Sequence, residues 1–211
     1  GKSTLFNLMA GALRATAGSV HLAGADVTRM PEHRRARAGL ARTFQHASLF
    51  GPATAGDNVA LAARRALGVC HRPWPDRRSD GEVATRVGEL LDMVGLAGRD
   101  AVPAVALSHG ERRALELALA LAADPAVLLL DEPTAGMAAG ETRRFVELIA
   151  GLPETVTVVL VEHDLDVVFG LATHLSVLHL GRVLADGDPE QVRTDPAVRA
   201  AYLGTYLGTG R

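Results

Sequence analysis

Leu107–Gly136 reads LSHGERRALELALALAADPAVLLLDEPTAG, and two features of this run decide the fold class. Ser108 and Glu111 stand three apart ahead of an apolar-periodic segment, the pattern of a capping box that satisfies the orphan amides of a helix start. Such a start needs no ligand, yet its remaining N–H groups and positive dipole end also suit a phosphate. Ala126–Asp131 is a continuous aliphatic run entered from Pro125 and closed by acids, as expected of a buried parallel strand. It puts Asp131 at the C-terminal end of the strand, where open α/β sheets bind ligands, with Glu132 beside it.

Outward from this run, strand-like and helix-like segments alternate, which predicts an α/β domain with a parallel sheet. Leu5, Leu8 and Met9 mark one face of a first helix starting at Lys2. The stretch SVHLAGADV predicts a short hairpin, Pro31 opens a brief basic helix, and ARTFQ predicts a strand ending at Gln45. Val83, Val87, Leu90, Leu91 and Val94 fall at helical spacing within a helical subdomain spanning 56–110. The polar, proline-bearing HRPWPDRRSD reads as an exposed loop inside it. TVTVVLVEH predicts a second buried strand, and Glu141–Ala150 a helix between the two. HLSVLHLGRVLADG predicts two strands meeting at Gly181, and 188–211 a helical tail whose second helix starts at Asp195 and Pro196.

Bulk composition excludes several classes. The chain has 211 residues, nearly half of them apolar, enough for one sizeable core. A net charge of −2 gives no basic footprint for nucleic acid. A single cysteine, Cys70, permits no internal disulfide. The apolar stretch Ala114–Leu130 is interrupted by Glu116, Asp124 and Pro125 and cannot span a bilayer.

The N-terminal GKST reads as the second half of a phosphate loop, G-x-x-x-x-G-K-[ST], whose backbone amides cradle phosphates, whose lysine reaches the β and γ groups and whose hydroxyl holds Mg²⁺. Of the 22 cationic side chains all but Lys2 are arginine. A compact ammonium can sit between two phosphates where a planar guanidinium cannot be exchanged for it. Joined to this half-motif, Asp131 becomes a candidate Mg²⁺-supporting acid and Glu132 a candidate base for the attacking water.

The ordered set resembles the ATP-binding cassette (ABC) ATPases, a P-loop NTPase fold with an inserted α-helical subdomain. The resemblance covers essentially the whole chain. Leu107, Ser108, His109, Gly110 and Glu111 stand where that family has its Leu-Ser-Gly-Gly-Gln signature. Gln45 is similar to the glutamine of its sensor loop, and His163 in VLVEHD to its switch histidine. The resemblance implies that Gly1, Lys2, Ser3 and Thr4 grip the phosphates of ATP, and that Ser3, Gln45 and Asp131 serve Mg²⁺. It makes Glu132, His163 and Gln45 the catalytic set, with Ser108 and Gly110 reaching across from a second ATPase subunit, in a homo- or heterodimer. The tail VVFGLATHLSVLHLGRVLADGDPEQVRTDPAVRAAYLG, with RTFQHASLF and EPTAGM, is similar to ATPase subunits of branched-chain amino-acid importers and relatives for urea or amides.

That likeness implies transmembrane permease subunits as partners, a solute-binding protein as an indirect one, no nucleic acid, and a peripheral place on the cytoplasmic face of the inner membrane. It also implies a cassette whose first strands precede Gly1, cut inside the phosphate loop. Three positions depart from the family pattern. Glu111 replaces the signature glutamine and brings a carboxylate toward a phosphate position, adverse unless paired, with Arg112 as the expected partner. Ala138 stands where Asp or Asn is usual, and Leu119 where arginine is usual. Other readings of the same motifs are a soluble ABC ATPase of translation or repair, which should carry a second cassette, coiled coil or basic arm, and a nucleotide-binding module without turnover.

Overall fold

The computed structural model describes residues 1–43, 49–69 and 77–203. Helix α1 (Lys2–Ala10) leads through the antiparallel hairpin β1 (His21–Leu22) and β2 (Ala25–Asp26) and the short α2 (Glu32–Arg37) to β3 (Leu40–Arg42). Three helices follow: α3 (Ala55–Ala66), α4 (Arg77–Met93) and α5 (His109–Leu121), the last preceded by a 3₁₀ turn at Ala104–Ala106. Then come β4 (Val127–Asp131), α6 (Ala139–Ala150), β5 (Thr157–Val161) and α7 (Leu165–Leu171). The hairpin of β6 (Leu175–His179) and β7 (Arg182–Gly187) precedes the short helices α8 (Pro189–Thr194) and α9 (Pro196–Val198).

The central sheet has the order β3-β4-β5 and is parallel, with Arg42 beside Leu129 and Asp131 beside Val161. Its middle strand alternates between two cores, as period-2 side chains must. Leu129 joins Phe6, Ala10, Leu22, Val27 and Leu40 under α1. Leu128 and Leu130 face the other way, into a cluster with Val59 of α3, Leu90 of α4 and Val94 just after it, Leu115 and Leu121 of α5, and Phe145 and Ile149 of α6. The sheet is therefore covered on both faces, which explains why β4 lacks a polar alternation.

The expected elements form, with five adjustments. Strand β5, expected to be buried, packs against both cores but is only partly buried, with Thr157 exposed. The face of α1 that meets the sheet is Phe6 and Ala10, both fully buried, whereas Leu5 is 39% exposed. Residues four apart share a helix face, and Phe6 fills the space over Leu129 and Leu40 that a face centred on Leu5 would leave empty. Helix α4 begins at Arg77, inside the stretch read as loop, and α6 begins at Ala139. Strand β3 ends at Arg42, and Gln45, its expected terminus, lies outside the described residues.

The far end of α1 is held by a buried arginine. Arg35 is 1% exposed, and its guanidinium donates to Leu8 O and Met9 O at 2.7 Å each, Met30 O at 2.9 Å and Thr28 O at 3.0 Å. A cation at a helix C-terminus meets both the free carbonyls and the negative dipole end. Gly11 closes the helix at φ +84, and a Cβ there would stand 2.8 Å from Arg35 Nε. Glycine fits both the left-handed turn and the close approach.

Candidate functional site

Helix α1 fixes the first part of the site. Its C-terminal carbonyls sit on Arg35, just before β3 begins, and Asn7 sits beside Arg42 at the end of β3, so α1 runs opposite to the strands. Lys2, Ser3 and Thr4, one turn further, therefore project at the C-terminal edge of the sheet. Gly1 is the N-cap and no side chain caps the helix, so the first-turn amides are free of intrahelical partners. A Cβ on Gly1 would stand 3.4 Å from Gly181 Cα, which puts the β6–β7 turn against this end of α1.

Arg42 ties that helix to the acid at the end of β4. Its Nη1 donates to Asn7 Oδ1 at 2.7 Å, its Nη2 lies 3.5 Å from Asp131 Oδ2, and its guanidinium carbon stands 5.5 Å from the centre of the Phe6 ring. Asp131 is 6% exposed, as the strand position demands. Glu132 follows with φ +46, a left-handed conformation that costs a residue with a Cβ about 1–3 kcal/mol. Surrounding bonds hold it there: the Glu132 amide donates to Val161 O at 2.8 Å, and its carbonyl accepts from the Ala135 amide at 3.1 Å.

His163 arrives from the neighbouring strand. Glu162, two residues before the α7 N-cap Asp164, has a fully buried side chain. Its Oε1 accepts from the Thr134 amide at 3.0 Å and the Thr134 hydroxyl at 2.6 Å, and its Oε2 accepts from the His163 amide at 3.1 Å. The His163 ring, 64% exposed, extends from this anchor toward solvent. The edge of the sheet thus brings together Lys2, Ser3 and Thr4 on α1, Asp131 at the end of β4 with Glu132 after it, and His163 after β5.

Ser108 and Gly110 belong to another surface. Ser108 Oγ accepts from the Glu111 amide at 3.2 Å while Glu111 Oε2 accepts from the Ser108 amide at 2.8 Å, completing the expected capping box. The Gly110 amide donates to Glu141 Oε1 at 3.1 Å, and the Ala138 amide to the other oxygen at 3.3 Å. These two amides, Ala138 first, hold the Glu141 carboxyl below its ordinary value. The expected Glu111–Arg112 pair does not form. Glu111 pairs with Arg99 at 2.7 Å, and Arg112 donates to Leu107 O at 2.8 Å. The side chain of Arg112 folds back along the N-terminal turn, leaving the loop after α4 to supply the cation. The Ser108 amide and, after it, Arg99 hold the Glu111 carboxyl below its ordinary range.

Sequence reasoning missed Arg42, Asn7, Glu162 and Glu141. Glu162 carried one local signal, an acid next to His163 directly after the aliphatic run Val158–Val161, but its partner Thr134 lies 28 positions away. The Arg42–Asp131 pair spans 89 positions and left no local trace.

A free helix N-terminus facing two adjoining acids at the C-terminal edge of a parallel sheet is the layout of a nucleotide-binding α/β protein. Comparison with known proteins narrows that class: the ABC transporter family model matches residues 1–135, and the chain belongs to this family of ATP-binding, ATP-hydrolysing transporter subunits. A second model, described as branched-chain amino acid ATP-binding cassette transporter, matches residues 182–207. The chain is 39% identical to the high-affinity branched-chain amino acid transport ATP-binding protein BraF of Pseudomonas aeruginosa, over 97% of this chain and 83% of that protein. It is 36% identical to LivG of Escherichia coli, of the same description, with the same coverage. Among solved structures it is similar to the ADP conformation of MJ1267, an ATP-binding cassette of an ABC transporter. The TM-score is 0.79 at 27% identity, over 97% of this chain and 84% of that one. Similarity to cbiO1 of Clostridium perfringens, part of the ABC transporter complex cbiONQ, gives a TM-score of 0.78 at 25% identity, over 99% and 80%.

Proposed function

We propose that this chain hydrolyses ATP to power a membrane importer of branched-chain amino acids or related small solutes such as urea and amides. The observation that carries the reading is the gathering of α1, Asp131, Glu132 and His163 at one sheet edge, in a chain whose C-terminal residues match the branched-chain family model. Gly1, Lys2, Ser3 and Thr4 bind the phosphates through the uncapped first-turn amides and the lysine point charge. Glu132 takes up the proton of the attacking water and His163 holds that water and the γ-phosphate in line. Ser108 and Gly110 of a second ATPase subunit close the far side of the nucleotide, and the Gly110 amide exchanges Glu141 for phosphate as they do so.

The donors also fit Mg²⁺. Mg²⁺ takes one or two protein oxygens and completes its shell with phosphate and water, and a hydroxyl and a carboxylate at this edge are oxygens of that kind. Ser3 and Asp131 would supply those oxygens, with Gln45 the third candidate. Mg²⁺, when bound, neutralises charge on the phosphate oxygens.

The chain forms one cassette domain, 1–211, with helices in 56–110 as a subdomain and a C-terminal tail, 188–211, that is helical in its described part up to residue 203. It docks on transmembrane permease subunits at the cytoplasmic face of the inner membrane and serves a solute-binding protein indirectly; nucleic acid is not a partner. Among the described residues no helix is long and apolar enough to cross a membrane itself. Uptake of labelled leucine by cells lacking the gene tests the reading. Uptake should return with the intact wild-type gene and fail with Lys2→Ala; uptake undiminished by the deletion would overturn the importer, and rescue by Lys2→Ala would overturn the site.

A further inference from the structure

The edge of the sheet holds one buried acid to which the chemistry above gives no task. Glu162 has no accessible side-chain surface, and both its oxygens are engaged by donors from two different loops. Oε1 takes the amide and hydroxyl of Thr134, at 3.0 and 2.6 Å, and Oε2 takes the amide of His163 at 3.1 Å. The Oε2 atom also lies 3.7 Å from Nδ1 of the His163 ring.

We propose that Glu162 is a positioning residue that locks the loop carrying Glu132 to the loop carrying His163, so that base and switch histidine keep one relative placement. The proposal rests on the ATPase reading of the site. Three local facts make the carboxylate more than a structural filler. Thr134 is two residues beyond Glu132, and the intervening Pro133 has a fixed φ, so an anchor at Thr134 is transmitted to Glu132. Glu132 occupies a left-handed conformation that it keeps only while its surroundings over-determine it. The Glu132 amide is already bonded to Val161 O at 2.8 Å, so the Glu162 bridge supplies a second attachment and removes the remaining freedom of the loop. A carboxylate suits the task because it is acceptor-only and can take donors from both loops at once. Glutamine at the same place would present its NH₂ to one of those amides, donor against donor.

The test uses the intact protein with Glu162→Gln, Thr134→Val and Thr134→Ser, measuring kcat and KM for ATP and the ring ¹⁵N signals of His163. Glu162→Gln and Thr134→Val should each lower kcat about 10-fold while KM for ATP stays within about twofold, the pattern of a lost transition-state arrangement. Thr134→Ser, which keeps the hydroxyl, should restore wild-type kcat. The double variant Glu162→Gln/Thr134→Val should be no slower than the slower single one, because both cut the same bridge. Either single variant should shift the His163 ring signals, though Thr134 has no bond to that ring.

Folded Glu162→Gln with wild-type kcat would overturn the proposal, and so would multiplying effects in the double variant. Should Glu162→Gln fail to fold, equal kcat for Thr134→Val and Thr134→Ser overturns it alone. Failure of the ATPase reading looks different: the wild type itself would show no turnover. The His163 signals would then still decide whether the bridge holds, since an unshifted spectrum in Thr134→Val contradicts the lock.

Discussion

Arg35→Met removes the anchor of α1 without touching the edge of the sheet, and its cost can be worked from the four bonds it breaks. Each hydrogen bond from a buried donor is worth about 1 kcal/mol net, and somewhat more when the donor is charged. Against that stands the relief of no longer burying a guanidinium, and methionine refills part of the volume. The balance is a loss of about 3 kcal/mol, in the range seen for broken buried networks. For a chain of this length that lowers Tm by about 9 °C. Arg35→Lys should lose about half as much, because one ammonium cannot reach Leu8 O and Met9 O on one side and Thr28 O and Met30 O on the other. Urea unfolding gives the free energies, and hydrogen exchange places them: amides of α1 should open sooner in Arg35→Met while those of β4 keep their protection. A loss under about 1 kcal/mol, or a lysine variant as stable as the wild type, would refute the anchor.

Ser108→Ala removes the hydroxyl that accepts from the Glu111 amide and should cost about 1 kcal/mol in urea unfolding, as for a lost N-cap. Its turnover should fall further than that stability loss explains, through the phosphate contact, and an effect confined to stability would count against the contact. Glu111 gives a pH signature. Its carboxyl is held below the ordinary 4.5 by the Ser108 amide and Arg99, so the stability it contributes is full above 4.5 and is lost as pH falls through the lowered value. Glu111→Gln should therefore be less stable than wild type at pH 7, with the gap closing in acid; a constant gap would mean that charge plays no part.

Much of this architecture was legible in the residues, for a physical reason: a strand buried on both faces must be continuously aliphatic, and Val127–Leu130 is, while the aliphatic run Val158–Val161 marks its partly buried neighbour. Ser108 and Glu111 are three apart, so their capping box could be read locally, as could the hairpin closed at Gly181. The first helix misled because Leu5 looks as apolar as Phe6, and only the packing over Leu129 shows which of them faces inward. The polar contacts that join the parts of the site were illegible. Arg35, Arg42 and Glu162 act on residues 27, 89 and 28 positions away, and nothing in their own neighbourhoods distinguishes a surface charge from a buried bridge. The partner of Glu111 was misjudged for the same reason, since adjacency favoured Arg112 and the loop geometry supplied Arg99.

The most direct measurement on the central claim is ATP binding and turnover by Glu132→Gln in the intact protein. Binding should match the wild type, because the uncapped turn of α1 and Lys2 are untouched, while turnover should drop by about 10² or more, the range for a lost general base. Turnover at the wild-type rate would contradict the assignment of Glu132 and, with it, the convergence of the edge on one triphosphate.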